Sequence, residues 1–256
     1  MRHPGLLLVT PSTPHPWKSW QGHGLVVGAG GIGRALLEAL PARAPGLRLW
    51  SAGRRRPRPD GWQPDLELDL TDDDSLERLA AGLAALTPLR LVICCAGLLH
   101  DGDLQPEKRL AQVRRRSLER SFALNAWGPL LLAQALEPAL PKQQPCHFAS
   151  LSARVGSIAD NGLGGWYSYR AAKAAQNQLL CTLALEWRRR FPLACVTLLH
   201  PGTTATALSE PFRSGVAPER LFTPERAALQ LLDVLEGQTP ASSGSFLAWD
   251  GQPIPW

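Results

Sequence analysis

An α/β fold, a doubly wound parallel sheet with helices on both faces in a single domain, is predicted by three observations. Short apolar runs alternate with helical ones from residue 24 onward, and a glycine-rich turn lies between the first run and the first helix. The 256 residues, 45% of them hydrophobic, supply one core of ordinary size.

The elements follow in order. GLVV (24–27) reads as a buried strand and IGRALLEAL (32–40) as the helix after it. LRLW (47–50) and DLELDL (65–70) read as the second and third strands, and the latter carries Asp69 just before the capping-like TDDDSLERLAAGLAAL helix. LRLVICCAG (89–97) is the fourth strand, and one long helix is expected over 117–140. Strand CHFAS, a helix over 167–190, strand ACVTLLH and a late helix at 224–236 complete the alternation, with GSFLAWDG as a closing edge strand. The Pro/Arg stretch 54–64 reads as a loop, and 203–222, with Pro211, Gly215 and Pro218, as a lid over the site. Right-handed crossovers then gather the loops after the strands along one crevice.

Residues 1–22 hold an apolar run of only four residues with one proline before it and three after, too short for a signal-peptide core and too broken for a helix. They are expected to form a poorly ordered extension, with 23–256 as the folded domain. The net charge of +5 comes from arginine clusters at 54–56, 114–116 and 188–190, which are scattered rather than continuous and argue against nucleic-acid binding. No run approaches the eighteen or so apolar residues of a membrane span. The five cysteines (Cys94, Cys95, Cys146, Cys181, Cys195) lack metal-ligand spacing, so no metal site is expected; buried free thiols fit a reducing, cytoplasmic compartment.

Two constellations carry chemistry. Gly28-Ala29-Gly30-Gly31-Ile32-Gly33 lies between strand and helix, where absent side chains let backbone approach a pyrophosphate and a helix N-terminus meets its charge. With Asp69 further on, the context is that of a Rossmann-type dinucleotide site. The second strand ends in SAGRRRPR without an acid, so Arg54, with Arg55 beside it, is placed for a 2′-phosphate; NADP(H) is favoured and NAD(H) is the alternative. The second constellation is Tyr169 and Lys173, four residues apart on one helix face. A phenol beside a fixed positive charge is expected to have its pKa lowered, which suits a proton donor to a substrate oxygen.

Taken together, the glycine loop, Asp69, CCAG at 94–97, Asn125, YRAAK at 169–173 and HPG at 200–202 resemble the short-chain dehydrogenases/reductases, from Gly24 to the C-terminus. Within them, SARVGSIADNGLGGWYSYRAAKAAQN, LLHDGDLQPEKR and WDGQPIPW look like the C-factor-like cell-cell signalling branch. The resemblance implies Tyr169 as general acid/base, Lys173 as its partner and ribose ligand, and Asn125 as support for a proton-relay water. It also implies Ala96 and Gly97 beside the adenine-side ribose, and Pro201, Gly202 and Thr203 along the nicotinamide. A catalytic serine is implied too, for which Ser150, Ser152 and Ser157 compete; Ser152 is preferred and Ser150 is the runner-up. Three departures stand out. The glycine loop is one residue short, Ala153 replaces the second of a usual serine pair, and CCAG replaces paired asparagines.

The expected function is therefore NADP(H)-dependent reduction of a carbonyl or oxidation of an alcohol, on a small-molecule substrate. A dinucleotide-binding signalling or redox-sensing protein is the alternative, and a sugar-nucleotide epimerase a third reading that the short stretch after Pro201 disfavours. Trp166, Tyr167, Leu208 and Phe212 fit an apolar pocket or, equally, a core or interface. The resemblance implies the helices at 117–140 and 167–190 as faces through which family members often pair into homodimers or homotetramers, while the glycine-rich insertion before Tyr169 resembles members that stay monomeric.

Overall fold

The structure, a computed structural model, describes residues 17–55 and 60–256. The alternating pattern gives β1 (Gly22–Val27), α1 (Gly31–Arg43), β2 (Leu47–Gly53), β3 (Leu66–Glu67), α2 (Asp73–Ala81) and β4 (Leu89–Cys94). Then come α3 (Arg115–Phe122), α4 (Gly128–Leu136), β5 (Cys146–Leu151), α5 (Tyr167–Arg190) and β6 (Ala194–His200), followed by β7 (Thr203–Thr204), β8 (Leu221–Phe222), α6 (Pro224–Glu236) and β9 (Ser245–Ala248). Seven strands form one sheet in the order β3-β2-β1-β4-β5-β6-β9, and every pairing in it is parallel. The doubly wound α/β expectation holds.

Strand periodicity divides the core. Leu25, Val27, Val92, Phe148 and Val196 face one layer with Leu76, Leu132, Leu136, Leu180 and Trp187. Their neighbours Val26, Leu91, Ile93, Ala149 and Leu199 face the other, with Leu36 and Leu40 of α1 and Leu231, Leu232 and Leu235 of α6. Strand order reverses between β1 and β4, so the crevice of the sheet opens at their carboxyl ends.

Two expectations need correction. Residues 17–22 are not a loose extension: Trp17 and Trp20 are each 2% exposed and meet the His147 ring edge-on at 5.5 and 5.3 Å. The Arg90 guanidinium lies 4.5 Å over Trp20 and donates to the carbonyls of Gln21 and Pro145, which ties this segment to the amino ends of β4 and β5. Residues 1–16 lie outside the described residues.

The long helix expected over 117–140 is also broken, into α3, a π turn at Ala123–Trp127, α4 and a 3-10 turn at Glu137–Ala139. Pro129 explains the break. It has no N–H to give to the carbonyl four residues back, which is that of Asn125, and the ladder widens there instead. Gly128 lets this turn press onto the loop after β3, where a Cβ would lie 3.1 Å from Leu70 Cβ.

Candidate active site

The glycine loop is closed tightly. β1 ends at Val27, Gly28 turns at φ +84°, and Gly30 N donates to Gly28 O at 2.8 Å. A Cβ on Gly28 would lie 2.5 Å from Ala96 N, and one on Gly33 would lie 2.5 Å from Gly28 O; both glycines are required by backbone packing. Gly30 differs, because nothing lies within 4 Å of where its Cβ would be. The α1 N-terminus behind it has no side-chain cap hydrogen bond, so its first N–H groups are the orphan donors of a helix start. The loop is short by one residue yet presents an uncapped helix end to the crevice.

At the far side of that end, Ser51 N and Oγ both donate to Asp65 Oδ2 (2.8 and 2.7 Å), which turns the chain after β2 and limits β3 to two residues. A cavity here is lined by Arg54, Arg55, Glu67, Asp69, Asp72 and Arg78. Arg55 faces Glu67 at 4.0 Å and Arg78 faces Asp72 at 3.6 Å, whereas Arg54 makes no ion pair among the described residues. Asp69 Oδ1 accepts from Thr71 N and Oγ1, which leaves its second oxygen open. A roomier cavity, lined by Ser243, Phe246, Ile254 and Trp256, lies at the β9 edge and holds none of the predicted site residues.

Tyr169 and Lys173 share the first turns of α5, both buried. The expected lowering of the phenol pKa is not what the structure shows. Lys173 Nζ donates to Leu151 O (2.8 Å) and Gln176 Oε1 (2.9 Å), and it lies 5.7 Å from the centroid of the Tyr169 ring. Burial alone then governs the phenol and raises its pKa well above the ordinary value; burial also brings the ammonium down to about 8. The Tyr169 hydroxyl makes no hydrogen bond among the described residues. Gln176, which the sequence did not single out, holds Lys173 from one end and donates to Ser150 Oγ (2.7 Å) from the other.

The three candidate serines are all engaged away from Tyr169. Ser150 Oγ accepts from Gln176, Ser152 Oγ donates to Asn177 Oδ1 at 2.6 Å, and Ser157 Oγ accepts from Asp160 N at 3.1 Å. Asn125 is fully buried in the π turn. Its side chain donates to Leu98 O (2.7 Å) and accepts from Leu98 N (2.8 Å), which pins the loop that follows Ala96 and Gly97.

A residue that sequence reasoning missed holds the start of α5. Glu107, 3% exposed, accepts at its carboxylate from Ser168 N (3.1 Å) and Ser168 Oγ, and its backbone oxygen accepts from Trp166 N. A carboxylate on the first N–H groups of a 24-residue helix satisfies orphan donors and meets the positive end of the helix dipole. The helix has no other side-chain cap. Ser168 O in turn accepts from Ser121 Oγ (3.2 Å), and Ser121 Oγ accepts from Asn125 Nδ2 (3.1 Å), so one chain of bonds runs from Glu107 to Asn125 past the backbone beside Tyr169.

The 203–222 segment covers the crevice. After Pro201 and Gly202 (φ +73°), Thr203–Thr204 pairs with Leu221–Phe222 to fix its two ends. Thr206 packs on the glycine loop, its Cγ2 2.7 Å from where a Gly31 Cβ would lie, and Leu208 lies 3.6 Å from the same point on Gly97. Phe212 reaches the His100 ring (5.9 Å) and the Trp166 ring (5.1 Å), and Trp166 stands edge-on to Tyr169 at 6.2 Å. Thr206, like Gln176 and Glu107, is a residue the sequence reading passed over.

Known proteins are similar to this chain in sequence and in fold. A family model described as short chain dehydrogenase matches residues 23–217. The 1-hydroxy-2-glutathionyl-2-methyl-3-butene dehydrogenase of Rhodococcus sp. (strain AD45) is 32% identical over 190 residues, which is 74% of this chain and 78% of that protein. C-signal of Myxococcus xanthus is 34% identical over 148 residues, 57% of this chain and 83% of its own length. The NADPH-bound carbonyl reductase from chicken fatty liver superposes with a TM-score of 0.78, covering 93% of this chain and all of that one; at 23% identity it speaks for the fold alone.

Proposed function

The chain belongs to the short-chain dehydrogenase family, a family of oxidoreductases, and from that premise we propose an NADP(H)-preferring enzyme that reduces a carbonyl or oxidises an alcohol, with Tyr169 moving the proton. The observation that carries this reading is the Tyr169 hydroxyl. It is a buried phenol without a protein partner among the described residues, one helical turn from an ammonium and under the lid.

The residues fit a dinucleotide. The uncapped start of α1 behind Gly30 offers N–H groups to a pyrophosphate, with Gly31, Ile32 and Gly33 as the first helical residues and Thr206 beside them. Ala96 lies across from Gly28 with Gly97 next to it in the chain, Asp69 has an oxygen to spare, and Arg54, free of ion pairs among the described residues, suits a 2′-phosphate. Pro201, Gly202 and Thr203 lead into the lid at the other end. When bound, the cofactor supplies or accepts the hydride.

The chain's own residues do the rest. Tyr169, kept protonated by burial, donates its proton to a carbonyl oxygen as that oxygen gains charge, and takes a proton back in the alcohol direction. Lys173 keeps its ammonium 5.7 Å from the centroid of the phenol ring, bonded to Leu151 O and Gln176 Oε1, and would have to leave those partners to steady the phenolate left after donation. Tyr169 is the hydroxyl we assign to the substrate oxygen; Ser152, whose O–H goes to Asn177 Oδ1, would have to leave it to join, whereas Ser150 Oγ is only an acceptor toward Gln176.

A second reading is a dinucleotide-dependent signalling protein, favoured by those engaged serines and by the likeness to C-signal. One experiment separates the two. Purified protein is titrated with NADPH and with NADH, following tryptophan quenching, and carbonyl turnover is then measured for wild type and Tyr169→Phe. Tighter NADPH than NADH binding, with turnover lost in a variant that still binds, is the expected result. Binding without turnover in the wild type shifts the assignment to signalling, and no binding of either nucleotide overturns both.

A further inference from the structure

Among the described residues, Trp166 is the only non-glycine with a positive φ, at φ 52° and ψ 42°. A bulky residue in the left-handed region is a true outlier, and it persists only where its surroundings hold it. Here they do. Gly164 and Gly165 precede it in the same left-handed conformation (φ 65° and 66°), so three successive residues wind one way. Arg170 clamps that turn: its Nε donates to Gly165 O at 3.0 Å and its Nη2 to Gly164 O at 3.1 Å, while its backbone N donates to Trp166 O. Trp166 N donates to the Glu107 carbonyl, whose own side chain grips Ser168. Backbone strain is thus concentrated on one aromatic residue three positions before Tyr169, and four separate contacts fix it there.

The ring so placed has two neighbours. One edge meets Tyr169, with centroids 6.2 Å apart at 72°; the opposite neighbour is Phe212, at 5.1 Å and 58°. Phe212 belongs to the lid, on a short 3-10 stretch (Glu210–Gly215) tied back to the start of the lid, where Ser209 Oγ donates to Thr204 O and Arg213 Nη2 donates to Thr206 O. A flat apolar ring of the lid thus packs at a tilt against Trp166, whose other ring contact is the reactive phenol. The Trp166 indole N–H makes no hydrogen bond among the described residues, so the residue is not held for the sake of that bond.

We propose that Trp166 is the specificity-determining platform of this site and that its substrates are aryl carbonyls and aryl alcohols, whose flat ring takes the place of the Phe212 ring when the lid moves. The inference rests on the oxidoreductase reading above and adds the class of substrate. Aromatic rings favour tilted and offset contact with one another beyond what equal apolar area gives, so a planar substrate ring gains where a puckered ring of the same size does not.

The test compares benzaldehyde with cyclohexanecarbaldehyde under NADPH, in wild type, Trp166→Leu and Trp166→Phe. Wild type is expected to favour the aryl aldehyde in kcat/KM by roughly twofold to tenfold, the range an aromatic pair supplies. Trp166→Leu brings the ratio to near one, and Trp166→Phe restores most of it. An unaltered ratio in Trp166→Leu overturns the platform while leaving the oxidoreductase reading in place. A binding arm separates the two failures: affinities of benzyl alcohol and cyclohexylmethanol for the NADP⁺ complex, by calorimetry. Tighter aryl binding that vanishes in Trp166→Leu supports the platform whatever the turnover; equal affinities in wild type sink it.

Discussion

Glu107→Ala tests the part of the site that sequence reasoning did not find. Its carboxylate is buried, and the groups it satisfies are Ser168 N–H and Ser168 O–H, at the start of the helix that carries Tyr169 and Lys173. Hydrogen bonds to a charged group contribute about 1.5–3 kcal/mol each, and a charge at a partly buried helix N-terminus up to about 2 kcal/mol. These overlap, because the same contact supplies both, so the expected loss is about 3–5 kcal/mol rather than their sum. Glu107→Gln keeps one acceptor oxygen and is expected to lose about 1–2 kcal/mol. Equilibrium urea unfolding at fixed pH measures both; the midpoint falls while the slope stays constant. Glu119→Ala, an exposed acid on α3, is the control and should stay within about 0.5 kcal/mol of wild type. A loss below about 1 kcal/mol in Glu107→Ala would falsify the claim that this carboxylate anchors α5.

Further outcomes follow from the same geometry. Gly30→Ala and Gly33→Ala should part company: nothing lies near a Cβ at 30, so stability holds while NADPH affinity falls, whereas a Cβ at 33 strikes Gly28 O and costs about 1–3 kcal/mol by thermal melt. Equal melting losses in the two would refute the open cradle. Lys173, lowered by burial to about 8, is charged in both states below that pH, and the folded state gains as pH rises from about 8 toward the unfolded value near 10.5. Buried thiols pull the other way, so the signal is the difference from Lys173→Met. Wild type should gain about 2 kcal/mol relative to the variant between pH 7.5 and 9.5 in urea melts, and parallel curves would contradict the burial. Ser152→Ala leaves Asn177 Oδ1 without its donor and is expected to cost about 1–3 kcal/mol of stability but less than tenfold in kcat. A drop of about 10²-fold or more returns Ser152 to the substrate oxygen.

What the sequence made legible was local. The strands announce themselves by apolar runs, and the glycine loop by residues that only backbone crowding requires, such as Gly28 against Ala96. The break at Asn125 was legible as well, since Pro129 cannot donate to that carbonyl, but helical composition on both sides of Gly-Pro outweighed it. Trp17 and Trp20 were hidden among prolines, and their partners, Arg90 and His147, stand far along the chain. Glu107 lies in LLHDGDLQPEKR, a loop without periodicity, and its partner is 61 residues on. No pattern within a window reports such a contact.

The phenol shows most sharply where a spacing argument stops. Separation by four residues guarantees that Tyr169 and Lys173 share a helix face. It does not say where the ammonium ends. The carbonyl of Leu151, the last residue of β5, and the amide of Gln176, three residues on, both outcompete the phenol for Nζ, so the expected Coulombic lowering gives way to desolvation and the pKa moves up. The same competition decides the serines, since Asn177 and Gln176 claim Ser152 and Ser150 from the one face of α5 that points at β5. A helix face therefore selects which residues meet, and the end of the neighbouring strand selects which of them remain free. By that rule Tyr169 is left with no hydrogen bond among the described residues, and its ring neighbour is Trp166, which in turn meets the lid through Phe212.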